Sequence, residues 1–192
     1  MLEKIAEAAR CGVDFVQLRE KDLSTRELEA LAGAAVRAIR EISAKSRSKG
    51  TRLLINSRSD VALACGADGV HLRADDVSPS VVRGVWNQCG QEPIVSVSCH
   101  CSEEVVRAAA ERADFALFGP VFEKRDQPGT KSTGVGELQD ACGHGIRVLA
   151  IGGVTLENAA SCIRAGASGI AAIRLFQEND MAKIVASLGG IS

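Results

Sequence analysis

The sequence predicts an α/β fold of the (β/α)8 type, a ring of parallel strands each followed by a helix, with one strand fewer than eight. Three observations predict it. Short apolar runs alternate with amphipathic segments along the whole 192-residue chain. The runs are apolar on consecutive residues, as parallel strands covered on both faces require. One short pattern also recurs: Cys11-Gly12-Val13-Asp14-Phe15-Val16, Cys65-Gly66-Ala67-Asp68-Gly69-Val70, Glu111-Arg112-Ala113-Asp114-Phe115-Ala116 and Ala165-Gly166-Ala167-Ser168-Gly169-Ile170. Each reads as a helix end, often a glycine C-cap, turning directly into a strand. The steps from Gly12 to Gly66, Arg112 and Gly166 are 54, 46 and 54 residues. Each step spans two βα units, and four such quarters make the eight units of a closed barrel.

Taken in order, the chain opens on an amphipathic helix at Leu2–Arg10, where a barrel normally begins with a strand. Strands are expected at Asp14–Leu18, Arg52–Ile55, Gly69–His71, Ile94–Ser98, Phe115–Phe118, Val148–Ile151 and Gly169–Ala172. Helices fall between them near 24–43, 58–65, 78–88, 102–112, 156–165 and 180–188. Ser102 with Glu103 and Glu104, and Thr155 with Glu157, are acidic helix starts. Seven strands leave the first one of the barrel unaccounted for, with the gap between the strands at Asp14–Leu18 and Gly169–Ala172. A doubly wound open sheet is the competing arrangement. One domain, residues 1–192, is expected.

Composition narrows the function classes. Hydrophobic residues make up 46% and charged residues 24% of the chain, and the net charge of −1 gives no field that would gather nucleic acid. The short basic stretch Lys45, Arg47, Lys49, Arg52 has no aromatic neighbour and reads as a solvated helix end and loop. No apolar run reaches the ~20 residues that span a bilayer, and the acidic start Met1-Leu2-Glu3-Lys4 is no signal peptide. The seven cysteines form no CxxC pair; with no export signal they point to a reducing cytoplasm. Cys99-His100-Cys101 is not a metal cluster, because neighbours in an extended chain point to opposite faces. Small molecules are the expected partners, and a homo-oligomer is compatible with the sequence.

The unusual polar residues gather just after the strands. Gln17-Leu18-Arg19-Glu20-Lys21 ends the first, Asn56 the second and His71 the third, with Asp75-Asp76 behind it. Ser98, Gly119-Pro120, Gly152-Gly153 and Ile173-Arg174 end the other four. Seven strand ends on one rim are where barrel enzymes place their active sites. The chemistry points to phosphate. Arg19 and Lys21, two apart on an extended segment, project to the same side and suit a diphosphate. Asn56 donates to phosphate oxygens. Gly152-Gly153 lets backbone N–H groups approach an anion before the helix that opens near Thr155.

On these residues the sequence resembles the thiamine-phosphate synthases and their relatives, the TenI-type thiazole tautomerases. The resemblance rests on Val16-Gln17-Leu18-Arg19-Glu20-Lys21, on Ile55-Asn56-Ser57-Arg58 with Asp60, and on Gly66-Ala67-Asp68-Gly69-Val70-His71-Leu72. It continues through Ser98-Cys99-His100, Phe118-Gly119-Pro120-Val121-Phe122 and Ala150-Ile151-Gly152-Gly153-Val154-Thr155. The resemblance implies a TIM barrel that joins a hydroxymethylpyrimidine diphosphate to a thiazole phosphate, releasing pyrophosphate with the help of Mg²⁺. It implies that Gln17, Arg19, Lys21 and Asn56 hold the pyrimidine diphosphate, that Asp76 binds Mg²⁺ and that Ser98 sits beside the reacting pyrimidine. Gly153, Ile173 and Arg174 take the thiazole-phosphate positions.

Four departures qualify the resemblance. Ser57 stands where the family places a second metal-binding aspartate. The family's Pro-Thr-x-Thr-Lys stretch is replaced by residues 122–131, where Lys131 or Lys124 would supply the lysine. Arg174 stands where serine is common. The family's first strand, which precedes Leu2–Arg10, is absent, as a late start of the chain would produce. The leading expectation is the synthase, a transferase. The runner-up is a tautomerase in which His100 moves a proton near neutral pH, and a third reading is a ligand-binding barrel without catalysis. Ser57 and the altered loop lean toward the tautomerase, whereas Arg19, Lys21 and Asp76 lean toward the synthase.

Overall fold

The computed structural model describes residues 1–45, 50–123, 129 and 131–191. Its elements alternate as expected: α1 Leu2–Cys11, β1 Phe15–Leu18, α2 Thr25–Ser43, β2 Arg52–Asn56, α3 Ser59–Cys65, β3 Gly69–Leu72, α4 Pro79–Gln88, β4 Ile94–Cys99, α5 Ser102–Ala110, β5 Phe115–Phe118, α6 Gly134–Cys142, β6 Arg147–Ile151, α7 Leu156–Arg164, β7 Gly169–Ala171, α8 Arg174–Gln177 and α9 Met181–Gly189. The strands agree with the expected ones to within a residue at each end. Two helices, α6 and α8, carry no expectation from sequence. The first begins Gly-Val-Gly, which conceals its period, and the second is a single turn.

The chain divides into two units, Met1–Leu72 with Val81–Val95, and Arg73–Ser80 with Ser96–Ser192. In the first, β1 pairs parallel with β2 (Leu18 opposite Ile55) and β2 parallel with β3 (Asn56 opposite His71). Its core is built from Leu53, Ile55, Val70, Leu72, Val82 and Trp86, each no more than 2% exposed. The Trp86 indole N–H donates to Ser59 Oγ at 2.9 Å, so its one polar atom is satisfied as it is buried. In the second unit, β4, β5, β6 and β7 pair parallel in chain order, with Ser98 opposite Leu117, Phe118 opposite Ala150 and Ile151 opposite Ala171. Phe118, Leu138, Val105 and Val148 form its core. Within each unit every strand neighbours the next in sequence. A doubly wound sheet would reverse its order at a switch point; no reversal occurs within either unit.

The internal repeat has a single physical cause. At the end of α1, α3, α5 and α7 the chain folds back in the same hydrogen-bonded turn. The N–H of Val13 reaches the Ala8 carbonyl (3.1 Å), Ala67 that of Ala62 (3.0 Å), Ala113 that of Ala108 (2.9 Å) and Ala167 that of Cys162 (3.1 Å). Each is the six-to-one bond of a Schellman turn, which needs a left-handed residue one position earlier. Gly12, Gly66 and Gly166 supply it at φ 78°, 68° and 98°, and Arg112 adopts it at φ 65° without being glycine.

The helix expected to start at Ser102 does so, with Cys101 as its N-cap, and Ser102 Oγ is buried without a hydrogen-bond partner among the described residues. One local expectation changes. Arg52 is not part of a solvated loop but opens β2, its guanidinium 2.9 Å from Asp68. Arg47 and Lys49 lie outside the described residues. Among the described residues no helix is long and apolar enough to cross a membrane.

Candidate active site

The first unit carries a polar cluster at the C-terminal ends of β1, β2 and β3. Gln17 and Asn56 lie on neighbouring strands, and Gln17 Nε2 donates to Asn56 Oδ1 at 2.8 Å. That bond fixes the Asn56 amide: its Nδ2 donates to Ser57 Oγ at 3.0 Å and retains one N–H for an anion. Ser57 occupies a left-handed backbone position, φ 58°, held by its N–H on the His71 carbonyl at 2.8 Å. His71 itself is buried, 3% exposed, opposite Asn56.

Arg19 and Lys21 follow β1. The strand ends at Leu18 and the chain bends at Lys21, so the two cations sit on a connection and not, as expected, on an extended strand segment. Both are exposed, and neither has an ion-pair partner among the described residues. The Glu20 partner that a purely structural arginine would use is not engaged.

The second unit contributes the ends of β4 to β7. Ser98 is the penultimate residue of β4 and half-buried. His100 is clamped from two sides. Its backbone N–H donates to Glu104 Oε2 at 2.6 Å, and its Nδ1 lies 2.6 Å from the Gly119 carbonyl oxygen. A carbonyl only accepts, so Nδ1 carries a proton and Nε2 is the ring atom left for proton exchange. The flanking Cys99 is buried with its thiol pushed up to about 12 by desolvation, which makes it inert as a nucleophile or ligand.

Gly152 and Gly153 both take positive φ, 91° and 66°. Packing demands this as much as any ligand does. A Cβ on Gly152 would lie 2.5 Å from Pro120, and one on Gly153 would lie 2.6 Å from the Glu123 carbonyl oxygen and 2.7 Å from Phe122. The Gly153 carbonyl accepts from Asn158 Nδ2 at 3.0 Å, and Asn158 Oδ1 accepts from the Thr155 N–H at 2.8 Å. Side-chain caps therefore hold the start of α7 as the sequence suggested. Ile173 is 64% exposed and caps α8, which Arg174 opens. Lys131 is exposed and stands two residues before Thr133, whose N–H and Oγ1 lie 2.8 and 3.2 Å from the Pro120 carbonyl oxygen. Those bonds tie Thr133 to the segment that follows β5. Lys124 lies outside the described residues.

Asp76 is half-buried in a turn after β3, where Arg73 binds it through backbone and side chain. Sequence reasoning missed Arg73. Its only trace was a cation three residues before the carboxylate, a spacing shared by many surface pairs. No group of three or more His, Cys, Asp or Glu residues suited to a metal occurs among the described residues.

Comparison with known proteins shows the family of the chain. The family described as thiamine monophosphate synthase matches residues 1–176. A thiamine-phosphate synthase of Roseiflexus sp. RS-1 is 37% identical over 171 residues, covering 88% of this chain and 68% of that protein. One from Caldanaerobacter subterraneus subsp. tengcongensis is 37% identical over 183 residues, covering 93% and 80%. The solved structure of a thiamine phosphate pyrophosphorylase from Pyrococcus furiosus is similar with a TM-score of 0.82 and 27% identity, over 99% of this chain and 88% of that one. The (β/α) barrel class expected from sequence is borne out, with seven strands among the described residues.

Proposed function

The chain belongs to the thiamine monophosphate synthase family, and we propose that it couples hydroxymethylpyrimidine diphosphate with thiazole phosphate to give thiamine phosphate and pyrophosphate. One observation carries this reading: Arg19 and Lys21 follow the Gln17–Asn56 amide pair as exposed cations with no ion-pair partner among the described residues. A proton-shuttling tautomerase needs no such seat; a diphosphate leaving group does, because its growing charge must be neutralised as it departs.

In this reading the bond between the pyrimidine methylene carbon and the diphosphate oxygen breaks, and the thiazole nitrogen forms the new C–N bond. Gln17 orients Asn56, whose remaining N–H donates to the diphosphate. Arg19 and Lys21 bind its oxygens. Ser98 packs beside the pyrimidine, whose ring nitrogens and amine spread the transient positive charge. Lys131 adds a cation at the end of β5. Backbone N–H groups at Gly153 and Arg174, the Arg174 side chain and Ile173 receive the thiazole phosphate. The donor set fits Mg²⁺ in a limited way. Asp76 is a hard oxygen ligand, and Mg²⁺ on a diphosphate requires only one or two carboxylates; Ser57 is neutral where a second would stand. Bound there, Mg²⁺ would supply charge neutralisation to the leaving group. The cytoplasm is the compartment that suits seven thiols.

A second reading is favoured by the His100 clamp, which leaves Nε2 as a ready acid–base group for a tautomerase. The test is turnover with both synthase substrates, with and without Mg²⁺, reading pyrophosphate release. Mg²⁺-dependent release supports the synthase. Isomerisation of a thiazole carboxylate phosphate without pyrophosphate would replace it with the tautomerase, and binding of both substrates without any turnover would make the chain a ligand-binding barrel.

A further inference from the structure

The carboxylate that this reading assigns to Mg²⁺ already holds a cation. After β3 the turn Arg73–Asp76 closes through the Asp76 N–H on the Arg73 carbonyl at 3.2 Å. The Arg73 N–H returns a bond to Asp76 Oδ2 at 2.8 Å. The same residue's guanidinium places Nη2 3.3 Å and Nε 3.4 Å from Asp76 Oδ1, with Nη2 also 3.4 Å from Asp75 Oδ2. Arg73 therefore engages both oxygens of Asp76, one through its backbone and the other through its side chain. The two partners differ in exposure: the Asp76 side chain is 14% exposed and that of Arg73 is 55% exposed. The guanidinium can swing into solvent without opening the fold, whereas the carboxylate stays where the backbone N–H holds it.

We propose that Arg73 is a built-in competitor for the metal, occupying Asp76 Oδ1 until a divalent cation arrives together with a diphosphate. The inference rests on Asp76 being the metal ligand and adds a specific role for Arg73. Three physical points support it. Both guanidinium contacts fall on one oxygen at 3.3–3.4 Å, longer than the 2.7–2.9 Å of a tight charge-assisted fork, so the contact is displaceable. The guanidinium presents its N–H donors in a fork that matches carboxylate geometry, so it can stand in a cation's place on Asp76. A bare cation must take the carboxylate from the guanidinium with nothing in exchange, whereas a diphosphate brings oxygens for the metal and for the released guanidinium. Free Mg²⁺ must displace Arg73 uncompensated; Mg²⁺ with diphosphate does not.

The test measures binding of Mn²⁺, a spectroscopic stand-in for Mg²⁺, to the full chain by electron paramagnetic resonance, with and without inorganic pyrophosphate. Without pyrophosphate, Arg73→Gln should bind Mn²⁺ about three- to tenfold tighter than the parent, the scale of an exposed ion pair. With pyrophosphate the difference should shrink to about twofold or less. Arg73→Lys retains the charge and should resemble the parent, which a purely turn-forming role for Arg73 would not produce. Asp76→Asn should weaken Mn²⁺ binding in both conditions. Equal affinity in Arg73→Gln and the parent, with Asp76→Asn still weakened, overturns the competitor role and leaves the metal reading intact. Unchanged binding in Asp76→Asn overturns both.

Discussion

Gln17 Nε2 donates to Asn56 Oδ1 at 2.8 Å, across 39 residues of sequence, and so sets which face of the Asn56 amide meets a ligand. The two residues should therefore fail differently. Asn56→Ala removes a donor to a charged oxygen, a contact of about 1.5–3 kcal/mol, and should raise KM for the pyrimidine diphosphate about 10- to 100-fold. Gln17→Ala removes only the orienting bond and should cost about two- to tenfold. Steady-state kinetics on the two variants and the double variant check this; additive penalties would show that Gln17 acts independently of Asn56.

Ser57 sits at φ 58°, a region in which aspartate and asparagine are more at ease than serine. Ser57→Asp should therefore be accepted by the backbone while adding a carboxylate at the site. Its Mg²⁺ requirement for turnover should fall below that of the parent, and Asp76→Asn should nearly abolish turnover. A titration of rate against Mg²⁺ reads both.

His100→Ala separates the two chemistries. Synthase turnover should persist to within about tenfold, because no step of the coupling uses the Nε2 proton, whereas tautomerisation should be lost, general acid–base catalysis contributing about 10²- to 10⁴-fold. The measurement is the rate of each reaction on one variant preparation.

Gly153→Ala should be costly for a reason independent of any ligand. Its φ of 66° strains any side chain, and the new Cβ would meet Glu123 and Phe122 below 3 Å. A loss of about 2–4 kcal/mol is expected, lowering Tm by roughly 4–16 °C. Thermal unfolding with and without thiazole phosphate checks it.

Asp60 predicts a small acid limb. Arg58 binds it with Nε and Nη2 at 2.9 and 2.6 Å, and this hydrogen bonding holds the carboxyl below its ordinary range. The folded value lies below the unfolded one, so the stabilisation is present above about pH 4 and is lost as the pH falls through the folded value. With Asp60 65% exposed, the contribution is under about 1 kcal/mol. Asp60→Asn should lose that contribution, under about 1 kcal/mol, at pH 7 and differ least from the parent in acid, flattening the fall in stability below pH 4, as denaturant unfolding against pH would read.

By itself the sequence determined what local chemistry controls. Consecutive apolar residues declared the buried parallel strands. Gly12, Gly66 and Gly166 declared the Schellman turns, because only a few neighbouring residues decide whether a left-handed C-cap forms. Placing one polar residue after each strand was enough to put Gln17 and Asn56 at strand ends of one unit and Ser98 and Gly153 at or after strand ends of the other, since parallel strands within a unit send their C-terminal ends the same way. Only the tertiary structure decided what those residues touch. It joined Gln17 to Asn56 and His100 to Gly119, and it gave Gly152 and Gly153 a packing reason besides an anion-binding one. It also revealed Arg73 on Asp76. These contacts depend on burial, on side-chain direction and on pairings between distant strands, and periodicity along a chain encodes none of them.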